Sequence, residues 1–292
     1  MATEGKRKKG FIVSLVGLVL VILGVLWITI IFPAIDKVPT DYDRTYYFEG
    51  TFSVMNPVTQ SMDSFPVEQT LAQEAVGTED GALLIHEVRT VVDSATGTDI
   101  SARYGDESTI AINRSTLEFV QEIDERGRWG QWGPPRPIGE DDSYDLWHPG
   151  AGQPLTANYV RSEDFRDLGV LVFEIDEEDI DIGLEPQSGL PLSISTTITQ
   201  WVEPSSGTVV YNESVTTTSI AMPGMKVPIQ ISILRYAEET TVDLMDTGRS
   251  AHTMLFWFRT VIPWLLIGLG AVMVLIDMLF LGRRREPQEI ED

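Results

Sequence analysis

The chain has 292 residues, no cysteine, three histidines and a formal net charge of −23. Without cysteine there is no disulfide framework, so a domain of any size must rest on a hydrophobic core. So acidic a chain argues against nucleic acid as a partner, because like charges repel at contact range; it suits a saline habitat, divalent cations or a basic partner.

Residues 1–10 form a basic start, with Lys6-Arg7-Lys8-Lys9 in succession. Residues 11–32 then run without a charge. As a helix they would measure about 33 Å, enough to cross a hydrocarbon core of about 30 Å. The stretch is too long for a signal-peptide core and no small-x-small cleavage site follows, so a retained first transmembrane helix is predicted. Pro33 and Pro39 bracket a short stalk that cannot continue it.

Residues 33–253 read as one acidic domain, mainly β with some α. They hold 38 of the 44 acids but 13 of the 21 Lys and Arg residues. Aromatic and β-branched residues predict strands over 45–52, 83–92 and 109–120, the last with a turn near Asn113. Residues 67–76, with Leu71, Ala72 and Ala75, predict the one helix of this domain. Gly and Pro crowd a loop from Trp129 to Pro137. Residues 169–173 form a short apolar run that reads as a buried strand. The clearest local feature is a hairpin: 192–202 alternates, Glu203-Pro204-Ser205-Ser206-Gly207 supplies turn chemistry, and 208–220 runs back. One more strand is predicted over 227–236.

Residues 237–253 are polar and fit either a loop or a helix leading outward from the second span. Residues 254–281 combine an interfacial segment with a second transmembrane helix, and Asp277 is expected to reach toward the basic end that follows. Trp257, Arg259 and Trp264 are suited to the membrane interface. Residues 282–292 carry Arg283, Arg284 and Arg285, which anchor the cytoplasmic side. Basic clusters outside both spans place both termini in the cytoplasm and residues 33–253 outside, in a two-pass plasma-membrane protein. Gly17 with Gly24, and Gly268 with Ala271, offer small helix faces for packing the spans on each other or on a partner.

Catalytic chemistry is sparse. His86, His148 and His252 have no metal-ligand spacing, and no nucleophile elbow, phosphate loop or dinucleotide fingerprint occurs. The reading is therefore a protein without enzymatic activity or cofactor. Asp176, Asp179 and Asp181 lie in the densest acidic run and faintly suit calcium, although the run lacks the terminal glutamate of a calcium loop; a solvated charge run at a strand end is the alternative. Trp129, Trp132, Trp147 and His148 form a candidate ligand-contact loop, the plainer reading being tryptophans that pin the loop to a β core. Asn113 and Asn212 begin glycosylation sequons.

Several segments resemble a known family, the PorA-like porins. They are Phe32-Pro33-Ala34-Ile35-Asp36-Lys37-Val38-Pro39-Thr40-Asp41-Tyr42-Asp43 leading into Phe48-Glu49-Gly50-Thr51, then Leu146-Trp147-His148-Pro149 before Tyr159. Gly169-Val170-Leu171-Val172-Phe173 and Trp201-Val202-Glu203-Pro204-Ser205-Ser206-Gly207-Thr208-Val209-Val210 follow, and a second span closes the match. The resemblance implies two spans and a β-rich outer domain, and brings no catalytic residues. A membrane-spanning β-barrel does not fit strands placed between two spanning helices. The expected function is an anchored surface protein that binds or scaffolds an envelope protein, glycan or lipid. The alternatives are a lipid-transfer protein with an apolar tunnel, or a channel built from a homo-oligomer, since two helices cannot enclose a pore.

Overall fold

The computed structural model describes residues 2–186, 188–222 and 224–282, with side chains from residue 12 to residue 279. The basic clusters at Lys6–Lys9 and Arg283–Arg285 therefore lie outside the described side chains. The chain forms two compact units: Val38–His252, and the two ends up to Lys37 and from Thr253.

The unit made from the ends is helical. Helix α1 (Ala2–Leu26) passes through a π turn at Trp27–Ile31 into the short α2 (Phe32–Ile35). Near the other end a second π turn, Trp257–Val261, leads into a helix over Ile262–Gly282. Both segments are long and apolar enough to cross a membrane. Most of their Leu, Ile and Val side chains are exposed, Ile12 at 57% and Leu279 at 69% among them, so lipid is the solvent that suits them. The two helices meet where glycine lets backbones approach: a Cβ on Gly17 would sit 2.6 Å from the Gly270 oxygen. Gly24 lies against Ile267 in the same way, whereas Gly268 faces open space. Asp277 is buried at 8% exposure, with the carboxyl withdrawn from lipid rather than extended along the helix surface.

Among the described residues of the Val38–His252 unit, eleven strands form one antiparallel sheet. The first three, β1 (Asp43–Met55), β2 (Met62–Glu79) and β3 (Ala82–Asp93), are a meander, followed by the two-residue β4 (Thr98–Asp99). A short helix α3 (Ser101–Tyr104) precedes β5 (Asp106–Ile112), which returns to pair with β3. A second meander runs through β6 (Ser143–His148), β7 (Gln153–Phe165), β8 (Leu168–Leu184), β9 (Pro191–Glu203), β10 (Thr208–Met222) and β11 (Met225–Tyr236). Strand β11 then pairs with β1 and joins the two halves.

Single bridges connect the remaining edges. Ile112 pairs with Phe119, Glu118 with Gln131, and Gln131 with Leu146 of β6. The Gln131 N–H donates to the Asp145 carbonyl at 2.7 Å, and the Gln131 carbonyl accepts the Trp147 N–H at 3.0 Å. The sheet thereby closes on itself, which satisfies edges that would otherwise be open to pairing. Its inward face carries Phe173, Ile175, Ile198 and Tyr144 from the second meander, and Leu83, Ile85 and Ile110 from β3 and β5. Its outward face carries acids such as Glu68, Glu74, Glu174 and Glu213 at exposed or half-buried positions. A lipid-facing barrel needs an apolar outer band, and this sheet has none.

The predicted hairpin forms with Thr208 opposite Glu203 and Ile220 opposite Leu192. Residues 67–76 are strand β2 and not a helix. Their inward positions are Val67, Gln69, Leu71 and Gln73, and the two buried glutamines hide the apolar alternation that marks a strand. Residues 109–120 contain only the end of β5, a turn at Asn113 and the bridge at Phe119. Residues 169–173 open the much longer β8, so the acidic run lies within a strand and not at its end. The polar stretch after β11 is helix α4 (Glu238–Phe256); Leu244 and Met245 are buried, Met245 against Val170, Val172 and Trp201.

Candidate functional site

Every second residue at the start of β1 faces into the barrel: Tyr42 just before the strand, then Arg44, Tyr46 and Phe48. Across the ladder stand Gln73 and Leu71 of β2 on one side and Tyr236 of β11 on the other. These side chains, with Gln200 of β9, Trp132 and Arg136 of the loop, and Leu244 of α4, line a half-open cavity of about 300 Å³ on the inner face of the sheet. A larger hollow of about 540 Å³, over Glu49, Glu68, Glu213 and Arg235, lies on the outside of the sheet, and a groove of about 440 Å³ beside Phe65 and Tyr104 lies farther along the inner face.

Aromatic rings shape the cavity. Tyr46 and Tyr236 stack at 6.0 Å, Phe48 meets Tyr236 edge-on at 5.0 Å, and Trp132 meets Tyr42 edge-on at 5.5 Å. The Tyr42 hydroxyl donates to Gln73 Oε1 at 3.1 Å and lies 3.0 Å from the Tyr46 hydroxyl. Gln73 Nε2 donates onward to Glu87 at 2.5 Å. Burial pushes the phenols of Tyr42, Tyr46 and Tyr236 above their ordinary value, and burial likewise raises the Glu87 carboxyl.

The Tyr144 hydroxyl donates to Gln200 Oε1. The Gln200 amide nitrogen and the Tyr236 hydroxyl have no hydrogen-bond partner among the described residues. Arg44 donates to Thr247 Oγ1 at 3.1 Å and lies 3.8 Å from Asp243, both on α4.

Of the four predicted loop residues, Trp132 reaches the cavity wall. Trp129 is 51% exposed, and Trp147 packs edge-on against Phe119 at 6.2 Å. His148 is buried, accepts the Ala151 N–H at Nδ1, and has its pKa lowered to about 4 by burial and by the charge of Arg89. The three acids of the calcium reading have separate partners. Asp176 accepts from Thr197, Asp179 pairs with Lys226, and Asp181 accepts the Gly183 N–H. No group of three metal-ligating side chains occurs among the described residues. Asn113 is exposed in its turn, and Asn212 sits half-buried opposite Gln200 in β10. Trp257, Arg259 and Trp264 are exposed in the helical unit.

Glu203, Ser205 and His252 come together, an arrangement the sequence separates by 49 positions. Both the Glu203 carboxylate, at 2.9 Å, and the Ser205 hydroxyl, at 3.3 Å, reach the same ring nitrogen, Nδ1 of His252. A catalytic triad needs base and orienter on opposite ring nitrogens, so this cluster cannot relay a proton. It clamps the β9–β10 turn to α4 instead. Burial opposes the charge on Glu203, but bonds from the Ser206 hydroxyl, His252 and the Ser205 and Ser206 N–H groups outweigh it and lower its pKa.

A family model described as Porin PorA matches residues 10–279. The chain belongs to that family. No curated protein matches it. As a member of the PorA family it is a membrane protein, and the family's description brings no catalytic residue with it.

The cavity residues other than Trp132 were not singled out by sequence. The signal was present in the alternation Tyr42, Arg44, Tyr46, Phe48, since large side chains at every second position share one face of a strand.

Proposed function

We propose that this PorA-family protein is a two-pass, membrane-anchored binding protein whose β domain holds a small ligand inside the closed sheet and has no chemical turnover of its own. The cavity of about 300 Å³ bounded by Tyr46, Gln73, Gln200 and Tyr236 carries this reading. It has the size, aromatic walls and few convergent polar groups of a small-molecule site. Its volume does not suit a tunnel for a long-chain lipid. The domain faces outward and both termini lie in the cytoplasm, by the positive-inside rule. The family's description favours a second reading, a channel built from several copies, because one helix pair encloses no pore.

The test is extraction in a mild non-ionic detergent, followed by mass spectrometry of retained small molecules. A ligand held by the parent and lost on Leu71→Trp, which fills the cavity, supports binding. Equal retention in the filled variant, or a parent holding only water, overturns it. Single cysteines at Ala2, Ser205 and Glu289 report orientation through an impermeant thiol reagent in whole cells. Labelling at Ser205 alone is expected.

A further inference from the structure

The side chains that line this pocket carry a charge opposite to that of the chain. Acids outnumber Lys and Arg by 44 to 21 in the sequence, yet the described cavity lining includes two arginines, Arg44 and Arg136, and no acid. The counter-charge of Arg44 is Asp243, whose side chain is 66% exposed and lies outside the lining. Glu87 stands behind the wall, where Gln73 and Trp132 hydrogen-bond its carboxylate, and its charge still acts on Tyr46 from outside the lining. A concave, largely apolar wall that carries arginine focuses the field of that cation.

Hydrogen-bonding capacity in the same wall is unspent. Gln200 is 8% exposed, and its oxygen is occupied by Tyr144, which leaves the amide N–H₂ as a donor into the cavity. The Tyr236 hydroxyl is likewise unpartnered among the described residues, and burial keeps it protonated and able to donate. Neither atom is sealed from solvent, so both can donate to water or to a ligand in the pocket. The remaining walls are Phe48, Leu71, Trp132 and Leu244, which suit an apolar or flat body.

Resting on the binding reading above, we propose that the ligand is a small organic anion: one carboxylate or phosphate head on a flat or short apolar body. The head accepts from Gln200 and Tyr236 within the field of Arg44, and the body lies among the aromatic rings.

The full-length protein in a non-ionic detergent is titrated with benzoate, phenyl phosphate and the uncharged benzamide, and Trp132 fluorescence or calorimetry reads binding. The anions are expected to bind about ten-fold or more tighter than benzamide. Arg44→Met should weaken anion binding by a similar factor. Gln200→Glu, which places a carboxylate in the wall, should abolish anion binding and spare benzamide. Arg235→Met, on the outer face, should change nothing. If Arg44→Met does not fold, Gln200→Glu alone decides. Equal affinity for benzamide and benzoate, unmoved by Gln200→Glu, overturns the anionic class while leaving cavity binding intact. Binding of none of the three overturns the proposal, and retention of a native ligand remains the separate test of the reading beneath it.

Discussion

The indole Nε1 of Trp27 donates a hydrogen bond of 2.8 Å to the carbonyl oxygen of Phe258. The reason lies in two prolines. In the π turn Trp257–Val261 the Ile262 N–H bonds to the Trp257 oxygen, so the Phe258 oxygen looks five residues on for its donor. That residue is Pro263, which has no N–H. Trp27 fills the vacancy from the facing helix and stacks on Phe258 at 5.8 Å. The same sequence spacing, Trp27 to Pro33, produces the π turn in the first span. Each turn relieves the clash between a proline ring and the preceding helical carbonyl.

Trp27→Phe keeps the stack and removes the donor. It should loosen the helix pair by about 1 kcal/mol. Gly17→Leu should separate the helices outright, because its Cβ would meet the Gly270 oxygen at 2.6 Å. Cysteines at Gly24 and Ile267, in a chain with no native cysteine, report both through oxidative cross-linking. Cross-linking is expected to fall modestly in the first variant and to vanish in the second.

Gly50 of β1 stands opposite Leu234 of β11. A Cβ there would lie 1.9 Å from the Ile233 carbonyl oxygen, and backbone cannot step aside as a side chain can. Gly50→Ala should destabilise the domain by about 1–3 kcal/mol, as overpacking does. Urea unfolding of the detergent-solubilised chain, followed by tryptophan fluorescence, measures it. An unchanged midpoint would mean the strands have slack at this point.

Asp124 and Arg128 form a buried ion pair at 3.0 Å, with the Asp124 side chain fully enclosed. The carboxylate also accepts the N–H groups of Arg126 and Arg128. Asp124→Asn leaves the guanidinium buried without its counter-charge and should cost about 3–5 kcal/mol. The paired change Asp124→Asn with Arg128→Met should recover part of that loss, because no charge then remains unpaired. The same unfolding titration gives both values.

His148 predicts an acid-sensitive domain. Its pKa falls to about 4 in the folded state from an ordinary value near 6.5, so the unfolded chain binds the proton more tightly between those limits. Its stabilising contribution is complete above pH 6.5 and is lost as pH falls toward 4, by about 3 kcal/mol in all. His148→Asn, which does not titrate there, should flatten the dependence of unfolding free energy on pH across that window. A parent profile that is already flat would refute the assignment.

The sequence by itself determined the two apolar spans, the β character of the middle and the β9–β10 hairpin, because length, hydropathy and turn chemistry are local properties. It also held the Trp-x5-Pro spacing at 27–33 and 257–263. Tertiary structure alone decided that β2 is a strand. Gln69 and Gln73 are buried because the inside of this barrel is partly polar, and a rule that equates inward with apolar misreads them. Closure of the sheet through Gln131 and Leu146 was equally hidden, since three single bridges join segments without strand periodicity of their own. The cavity draws Tyr42, Trp132, Gln200 and Tyr236 from segments up to 194 positions apart. Their chemistry arises from facing one shared pocket, where burial and unpaired donors count for more than residue type, and no local pattern encodes that convergence.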